Sequence, residues 1–309
     1  MPHPSILIAP LNWGLGHATR CVPIIRSYLA KGNRVVIAAD GDALRWLQRE
    51  FPEIKTIEFP GFRIRYSPSD SQLLAMMQQL PTIIAGIVRE HRQLKRIIRQ
   101  ENIQTVISDN RFGLWNKEVK SIYITHQLLI RAPYRWIEPI LRRIHLWIIS
   151  RYDECWIPDI EGADNLSGDL AHKYPLPRNA RFIGWLSRFP INERVPVSKN
   201  YTNLCLISGP EPHRTLFEQS IIERFKNDLE PTLIVTGRPG TKRCSIGNID
   251  MVPDMSSCEL QTHLLKTPHI FCRSGYSTLM DLKILGRSAT LFPTPGQPEQ
   301  EYLAELHKN

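Results

Sequence analysis

The sequence predicts an α/β protein of two halves, each a parallel sheet covered by helices, and three observations carry that expectation. Short β-branched runs alternate with segments of helical periodicity along the whole chain. The 309 residues give room for two domains of ordinary size, each with its own core. A loop rich in proline and polar residues, from Pro190 to Asn203, separates two such alternating series. We therefore expect an N-terminal domain over 1–189 and a C-terminal domain over 190–309.

In the first series, Ser5 to Ala9 reads as a strand, Arg20 to Lys31 as a helix, Arg34 to Ala38 as a strand and Asp42 to Phe51 as a helix. Thr105 to Ser108, Ser121 to Thr125 and Glu154 to Ile157 are further short strands. In the second, Leu204 to Ser208, Thr232 to Thr236, His269 to Cys272 and Ala289 to Phe292 read as strands, with His213 to Lys226 and Ser277 to Leu285 as helices. Alternation of this kind gives Rossmann-like halves, whose ligands bind at the carboxyl ends of the strands. The two halves are expected to face a cleft.

Composition narrows the class. A hydrophobic share of 42% excludes a disordered chain, and a net charge of +9 implies an anionic partner, whether phosphate, nucleic acid or a membrane surface. Six scattered cysteines without a Cys-x-x-Cys pair read as reduced buried thiols. Met1-Pro-His-Pro leads straight into a strand without a signal-peptide pattern, so a cytoplasmic location is expected.

Two segments combine basic and apolar residues. Leu80, Ile84, Ile87, Leu94 and Ile98 follow helical spacing opposite Arg89, Arg92, Arg96 and Arg99. Between Arg131 and Arg151, Trp136, Ile140, Leu141, Ile144 and Trp147 interleave with Arg135, Arg142 and Arg143. Each reads either as a solvated basic face above an ordinary core or as a surface resting on anionic lipid headgroups, peripheral to the membrane. No nucleic-acid module or aromatic platform accompanies the basic residues, so nucleic acid is not the expected partner.

The stretch Trp13-Gly-Leu-Gly-His17 joins the first strand to the first helix. Glycines at 14 and 16 let backbone amides approach a ligand, and the helix that follows offers unpaired N–H groups. Position 19 is Thr, so the dinucleotide pattern Gly-x-Gly-x-x-Gly is incomplete. His17 could take a proton from a substrate hydroxyl or be structural. Asp109, at a strand end, could orient it or merely cap the Asp-Asn loop. His126, in Thr125-His-Gln127, ends another strand and is a candidate acceptor contact.

In the second half, Phe271-Cys-Arg-Ser-Gly-Tyr-Ser-Thr-Leu-Met-Asp281 runs from strand through glycine turn to a hydroxyl-rich helix start. That pattern suits phosphate oxygens, with a carboxylate one turn later that could accept ribose hydroxyls. Ser208-Gly209-Pro210-Glu211 is a second strand-end loop of the same type. No Asp-x-Asp metal motif stands at a strand end, so neither metal nor cofactor is expected; Arg273 or Arg238, with loop amides, would stabilise a leaving diphosphate.

On these residues the chain resembles the glycosyltransferases of the GT-B fold, most closely the MurG-like group, glycosyltransferase family 28. That group includes the UDP-N-acetylglucosamine transferase acting on the lipid-linked peptidoglycan precursor. The matching motifs are Trp13-Gly-Leu-Gly-His17 with Pro23, then Met251-Val-Pro-Asp-Met255, Arg273-Ser-Gly275 to Asp281, Pro293-Thr-Pro and Glu299-Gln-Glu-Tyr302. The family pattern has Glu where this chain has Asp281, and a pair of Gln where it has Gln300-Glu301.

The resemblance implies a metal-independent, inverting transfer of a sugar from a UDP-linked donor to a hydroxyl acceptor, which a lipid-linked acceptor would satisfy. By it, Val252 lies against the base, Ser208, Gly209, Arg273 and the run Ser274, Gly275, Ser277, Thr278 near the diphosphate, Asp281 on the ribose and Gln300 near the sugar hydroxyls. Gly14 and Gly16 line the donor and acceptor, with His17 as base and Asp109 as its partner. Against the family, the C-terminal domain is expected to be incomplete. A UDP-sugar 2-epimerase and a non-catalytic sugar-nucleotide binder stay open as alternatives.

Overall fold

The computed structural model describes residues 4–61, 72–189, 196, 199–238 and 240–308. In the first half, β1 (Ser5–Pro10), α1 (Gly16–Ala30), β2 (Arg34–Ala39), α2 (Gly41–Glu50), β3 (Lys55–Glu58), α3 (Gln72–Glu101) and β4 (Ile103–Asp109) follow one another. They continue into β5 (Lys120–Ile124), a 3₁₀ turn over Arg135–Ile137, α4 (Glu138–Ile149), β6 (Glu154–Ile157), α5 (Asp169–His172) and β7 (Ala180–Phe182). The seven strands form one parallel sheet in the order β3-β2-β1-β4-β5-β6-β7. β1 is buried along its whole length, which is why its sequence is a continuous apolar run rather than an alternating one. On one side Leu94, Ile97 and Ile98 of α3 pack with Leu7, Val36 and Val106. Ile149 of α4 packs with Tyr123, Tyr152 and Ile157.

The second half runs β8 (Asn203–Leu206), α6 (His213–Phe225), β9 (Thr232–Val235), β10 (Cys244–Ile246), β11 (Ile249–Val252), α7 (Ser257–Lys266), β12 (His269–Arg273), α8 (Tyr276–Ile284), β13 (Thr290–Phe292) and α9 (Pro298–Leu306). Its sheet has the order β10-β11-β9-β8-β12-β13, parallel except for the hairpin of β10 on β11. Phe217, Ile221 and Phe225 of α6 cover one face, and Leu260 and Leu264 of α7 the other. The chain divides into two compact units, one reaching Leu186 and the next beginning at Ser187. The boundary expected at residue 190 lies outside the described residues.

Three differences from the sequence reading matter. α1 begins at Gly16, four residues before the expected start at Arg20; Gly16 reads as a turn residue, and packing of Ala18, Cys21, Val22 and Ile25 carries the helix back to it. The sequence reading does not include the short strands β3, β7, β10 and β11, whose three or four residues carry too little periodicity, nor the helices α5, α7 and α9. The apolar stripe of α4 faces outward: Ile140, Ile144 and Trp147, with Trp136 of the preceding turn, are exposed, while His145 and Ile149 face the core. On α3, Leu80 and Ile84 are exposed as well, and packing begins only at Ile87 and Glu90, which lie against Gly113.

Cysteine burial follows the expectation at four of the six positions and departs from it at Cys244 and Cys258. Cys21, Cys155, Cys205 and Cys272 are buried, Cys258 is half-buried and Cys244 is exposed. Burial pushes the thiols of Cys155, Cys205 and Cys272 up to about 12. Among the described residues no helix is long and apolar enough to cross a membrane.

Candidate active site

In the first sheet the chain leaves β1 towards β2 on one side and reaches β4 on the other, so the switch in strand order falls between β1 and β4. Their carboxyl ends, Pro10 and Asp109, are register partners. A crevice at such a point is where open α/β sheets hold ligands. The turn 13–15 and the first turn of α1 follow β1, which places His17 beside the end of β4.

There the structure brings His17, Asp109 and His126 together, and adds a fourth group. His17 Nδ1 stands 3.0 Å from Asp109 Oδ1. Arg20 donates from Nε to Asp109 Oδ2 at 2.5 Å and from Nη2 to Oδ1. Arg20 Nη2 is also 2.7 Å from His17 Nδ1, and Nη1 is 3.2 Å from His126 Nδ1. Cys21 Sγ donates to Asp109 Oδ2 at 3.6 Å. Asp109 is fully buried, while the His17 side chain keeps 13% of its surface exposed, so the ring is the member open to a ligand.

Electrostatics sets the protonation states. Burial works against the charge on Asp109, but the Arg20 guanidinium and His17 outweigh it and hold the carboxyl well below its usual range. Burial, reinforced by Arg20, lowers the pKa of His17, with Asp109 opposing. His17 is therefore neutral at pH 7, as a proton acceptor must be.

Of the two glycines, Gly14 and not Gly16 takes the left-handed conformation, with φ of +75°, because Gly16 is already the first residue of α1. The requirement for φ above zero that the loop suggests thus falls on position 14 alone.

In the second sheet the switch falls between β8 and β12, and the strand-end loops collect there. Ser208 and Gly209 follow β8, Gly209 with φ of +109°. Ser274 Oγ donates to the carbonyl of Gln300 at 2.7 Å, so two predicted site residues meet. Gly275 is the N-cap of α8, with Ser277 and Thr278 in its first turn. The Gln300 side chain accepts from Thr294 N and Oγ1 at 3.0 and 2.9 Å and donates to Gln297 Oε1 at 2.8 Å.

Four further predicted ligand contacts are engaged within the protein. Arg273 donates to the carbonyls of Pro293 at 2.8 Å and His213 at 3.0 Å, and lies over the Phe217 ring; burial lowers its pKa to about 10. Asp281 is buried, accepts from Ser187 Oγ at 2.6 Å and pairs with Arg188 Nε at 3.4 Å. Burial raises its pKa despite Arg188. Val252 is buried among Leu233, Val235 and Met255, and lines a cavity of about 270 Å³ with Tyr201 and His263. Arg238 is held by Thr215 Oγ1 at 2.7 Å and by Glu218. Among the described residues no group of three or more His, Cys, Asp or Glu could hold a metal ion.

The glycosyltransferase SnogD from Streptomyces nogalater superposes with a TM-score of 0.57 at 14% identity, covering 99% of this chain and 85% of that one. The spinosyn rhamnosyltransferase SpnG complexed with thymidine diphosphate gives 0.59 at 14% identity, covering 97% and 83%. A UDP-glucosyltransferase from Polygonum tinctorium, in complex with 3,4-dichloroaniline, gives 0.59 at 14% identity, covering 99% and 82%. The fold is that of the GT-B glycosyltransferases. No family model matches the chain, and no curated protein matches it in sequence. The GT-B neighbours also include the calicheamicin glycosyltransferase CalG4, and the assignment to the MurG-like group gains no support from them.

Arg20 is the residue that sequence reading missed. The signal was available: it stands three residues after His17, on the face of α1 that otherwise carries Cys21 and Ile24. A charged side chain in such a place is seldom buried unless paired.

Proposed function

We propose that the protein is an inverting glycosyltransferase that moves a sugar from a nucleotide diphosphate donor, UDP-linked by the resemblance, to a hydroxyl acceptor. The observation that carries this is the His17–Asp109 pair at the carboxyl ends of β1 and β4, a neutral, part-exposed imidazole backed by a buried carboxylate. On this reading residues 1–189 bind the acceptor and residues 190–309 the donor. His17 takes the acceptor hydroxyl proton, the oxygen attacks the anomeric carbon from the face opposite the leaving group, and the bond from that carbon to the diphosphate breaks. The amides at the start of α8 and the loop at Ser208 and Gly209 meet the charge that builds on the diphosphate. Asp281 would take a ribose hydroxyl by exchanging Ser187 for it, with Val252 towards the base and Gln300 towards the sugar.

A second feature bears on the acceptor. Trp136, Ile140, Ile144 and Trp147 form an exposed stripe flanked by exposed Arg135, Arg143 and Arg151. Apolar side chains rimmed by cations suit the headgroup boundary of an anionic bilayer, and a lipid-linked acceptor would be met there. The net charge of +9 acts in the same direction.

The test is to incubate the protein with UDP- and TDP-linked sugars, with and without a lipid extract, and to measure free nucleoside diphosphate and labelled product. Diphosphate release that needs an acceptor and disappears in His17→Ala supports transfer. Isomerised sugar nucleotide without acceptor would identify an epimerase, and binding without turnover a sensor. Vesicles containing phosphatidylglycerol should sediment the parent in low salt, and not Trp136→Ser/Trp147→Ser.

A further inference from the structure

Arg20 makes contacts that the role of His17 as a base does not require. Its Nε and Nη2 fork onto both oxygens of Asp109, yet the same Nη2 stands 2.7 Å from His17 Nδ1, closer than the 3.0 Å from Nδ1 to Asp109 Oδ1. A guanidinium nitrogen only donates, so its contact with Nδ1 needs a lone pair there. The contact with Asp109 needs a proton on that same atom. One ring nitrogen cannot satisfy both.

We infer that Arg20 is a positioning residue that keeps the proton of the resting His17 on Nε2, so that the ring becomes a base only when an Nδ1–H bond to Asp109 replaces the Arg20 contact. Three observations favour Arg20 in this competition. Its contact is the shorter. Asp109 Oδ1 already accepts from Nη2 and Oδ2 from Nε and Cys21, so the carboxylate is well supplied with donors. Arg20 is 2% exposed and anchored by its fork, so it does not swing away into solvent.

The groups around His17 are Arg20 on its own helix, Asp109 at the end of β4 and His126 after β5, with Cys21 behind Asp109. Arg20 and His126 both oppose a proton on the ring, and Asp109 alone favours it. A purely His–Asp pair would hold the proton on Nδ1 and leave Nε2 as a ready base. Here the base form is reached by moving one proton from Nε2 to Nδ1, with a small turn of the imidazole from Arg20 towards Asp109. No atom is gained or lost in that step.

The experiment is ring-nitrogen NMR on protein labelled with ¹⁵N-histidine, with the His17 signals assigned by their loss in His17→Gln. At pH 7.5 the parent should show the Nε2–H pattern. Arg20→Gln should change it to Nδ1–H and raise the titration midpoint of the ring by about one unit. Arg20→Lys, which keeps a cation on Asp109 but removes the fork, should move the tautomer the same way, and stands in if Arg20→Gln does not fold. Asp109→Asn should retain Nε2–H. A parent ring in the Nδ1–H form, or a tautomer unchanged in whichever Arg20 variant folds, overturns the inference. It rests on the proposed function only in calling His17 a base; the spectra need no substrate, so a protein that transfers no sugar can still pass and an active one can fail.

Discussion

The two sheets have the same kind of switch point and fill it with opposite chemistry. Between β1 and β4 the side chains are ionisable and bind one another: His17, Arg20, Asp109 and His126. Between β8 and β12 the side chains bind mostly the main chain, with Arg273 on the carbonyls of Pro293 and His213 and Ser274 on that of Gln300. The first arrangement tunes protons. The second braces loops so that amides at a helix start stay in place, which suits a ligand recognised through phosphate rather than by proton transfer. On the proposed function one topology would serve two tasks, with the strand-end residues deciding which.

Substitutions should separate the two behaviours, the largest effect coming from His17. His17→Ala is expected to lower kcat by about 10²–10⁴-fold, the range for losing a general base, with donor KM little changed. An equal rise in donor KM with kcat intact would assign the first switch point to binding instead. Next, Asp109→Leu removes the carboxylate that carries the buried Arg20 fork and should cost about 3–5 kcal/mol in denaturant unfolding. Arg20→Met combined with it should recover much of that loss; additive losses would show that the pair is not coupled.

A histidine elsewhere in the first unit sharpens the contrast between tuned and merely buried groups. Burial holds His145 at about 4 in the folded chain, against 6.5 for the free side chain. Its contribution to stability is then complete above pH 6.5 and is lost as pH falls through about 4, a difference of about 3 kcal/mol. Unfolding midpoints recorded across that window should fall in the parent and fall less in His145→Gln. On the second side, Arg273→Met should cost about 2–3 kcal/mol by leaving carbonyls unmatched. A much larger effect on donor KM than on stability would mean that the guanidinium leaves those carbonyls for the diphosphate. Trp136→Ser/Trp147→Ser is expected to change stability by under about 0.5 kcal/mol while abolishing vesicle sedimentation, since both rings are already in solvent.

How far the sequence could be read follows from the range of each interaction. Buried parallel strands such as β1 and β4 announce themselves as apolar runs; Asp109 is visible because it ends one, His126 because it closely follows one, and His17 because it closes the glycine turn after one. The pairing of His17 with Asp109 joins residues 92 apart, and nothing local encodes it. Arg20 looked like a helix start because a salt bridge is a tertiary fact. The direction of the α4 stripe stays open in the sequence for a related reason: periodicity shows that Ile140, Ile144 and Trp147 share a face, but not whether that face meets a sheet or water. Asp281 was read for its position after the glycine turn, and its engagement by Ser187 and Arg188 depends on where the chain enters the second unit.

The distribution of thiols offers a way to watch the two units open. Cys21 and Cys155 are buried in the first, Cys205 and Cys272 in the second, and Cys244 is the exposed one. With three of these buried sulfurs held to about 12, alkylation in the native state should reach Cys244 first and wait for local unfolding at the others. Mass-resolved labelling over time would then report the opening of each sheet separately, without a foreign probe, and would show whether the half that holds the His17–Asp109 pair is also the half that breathes.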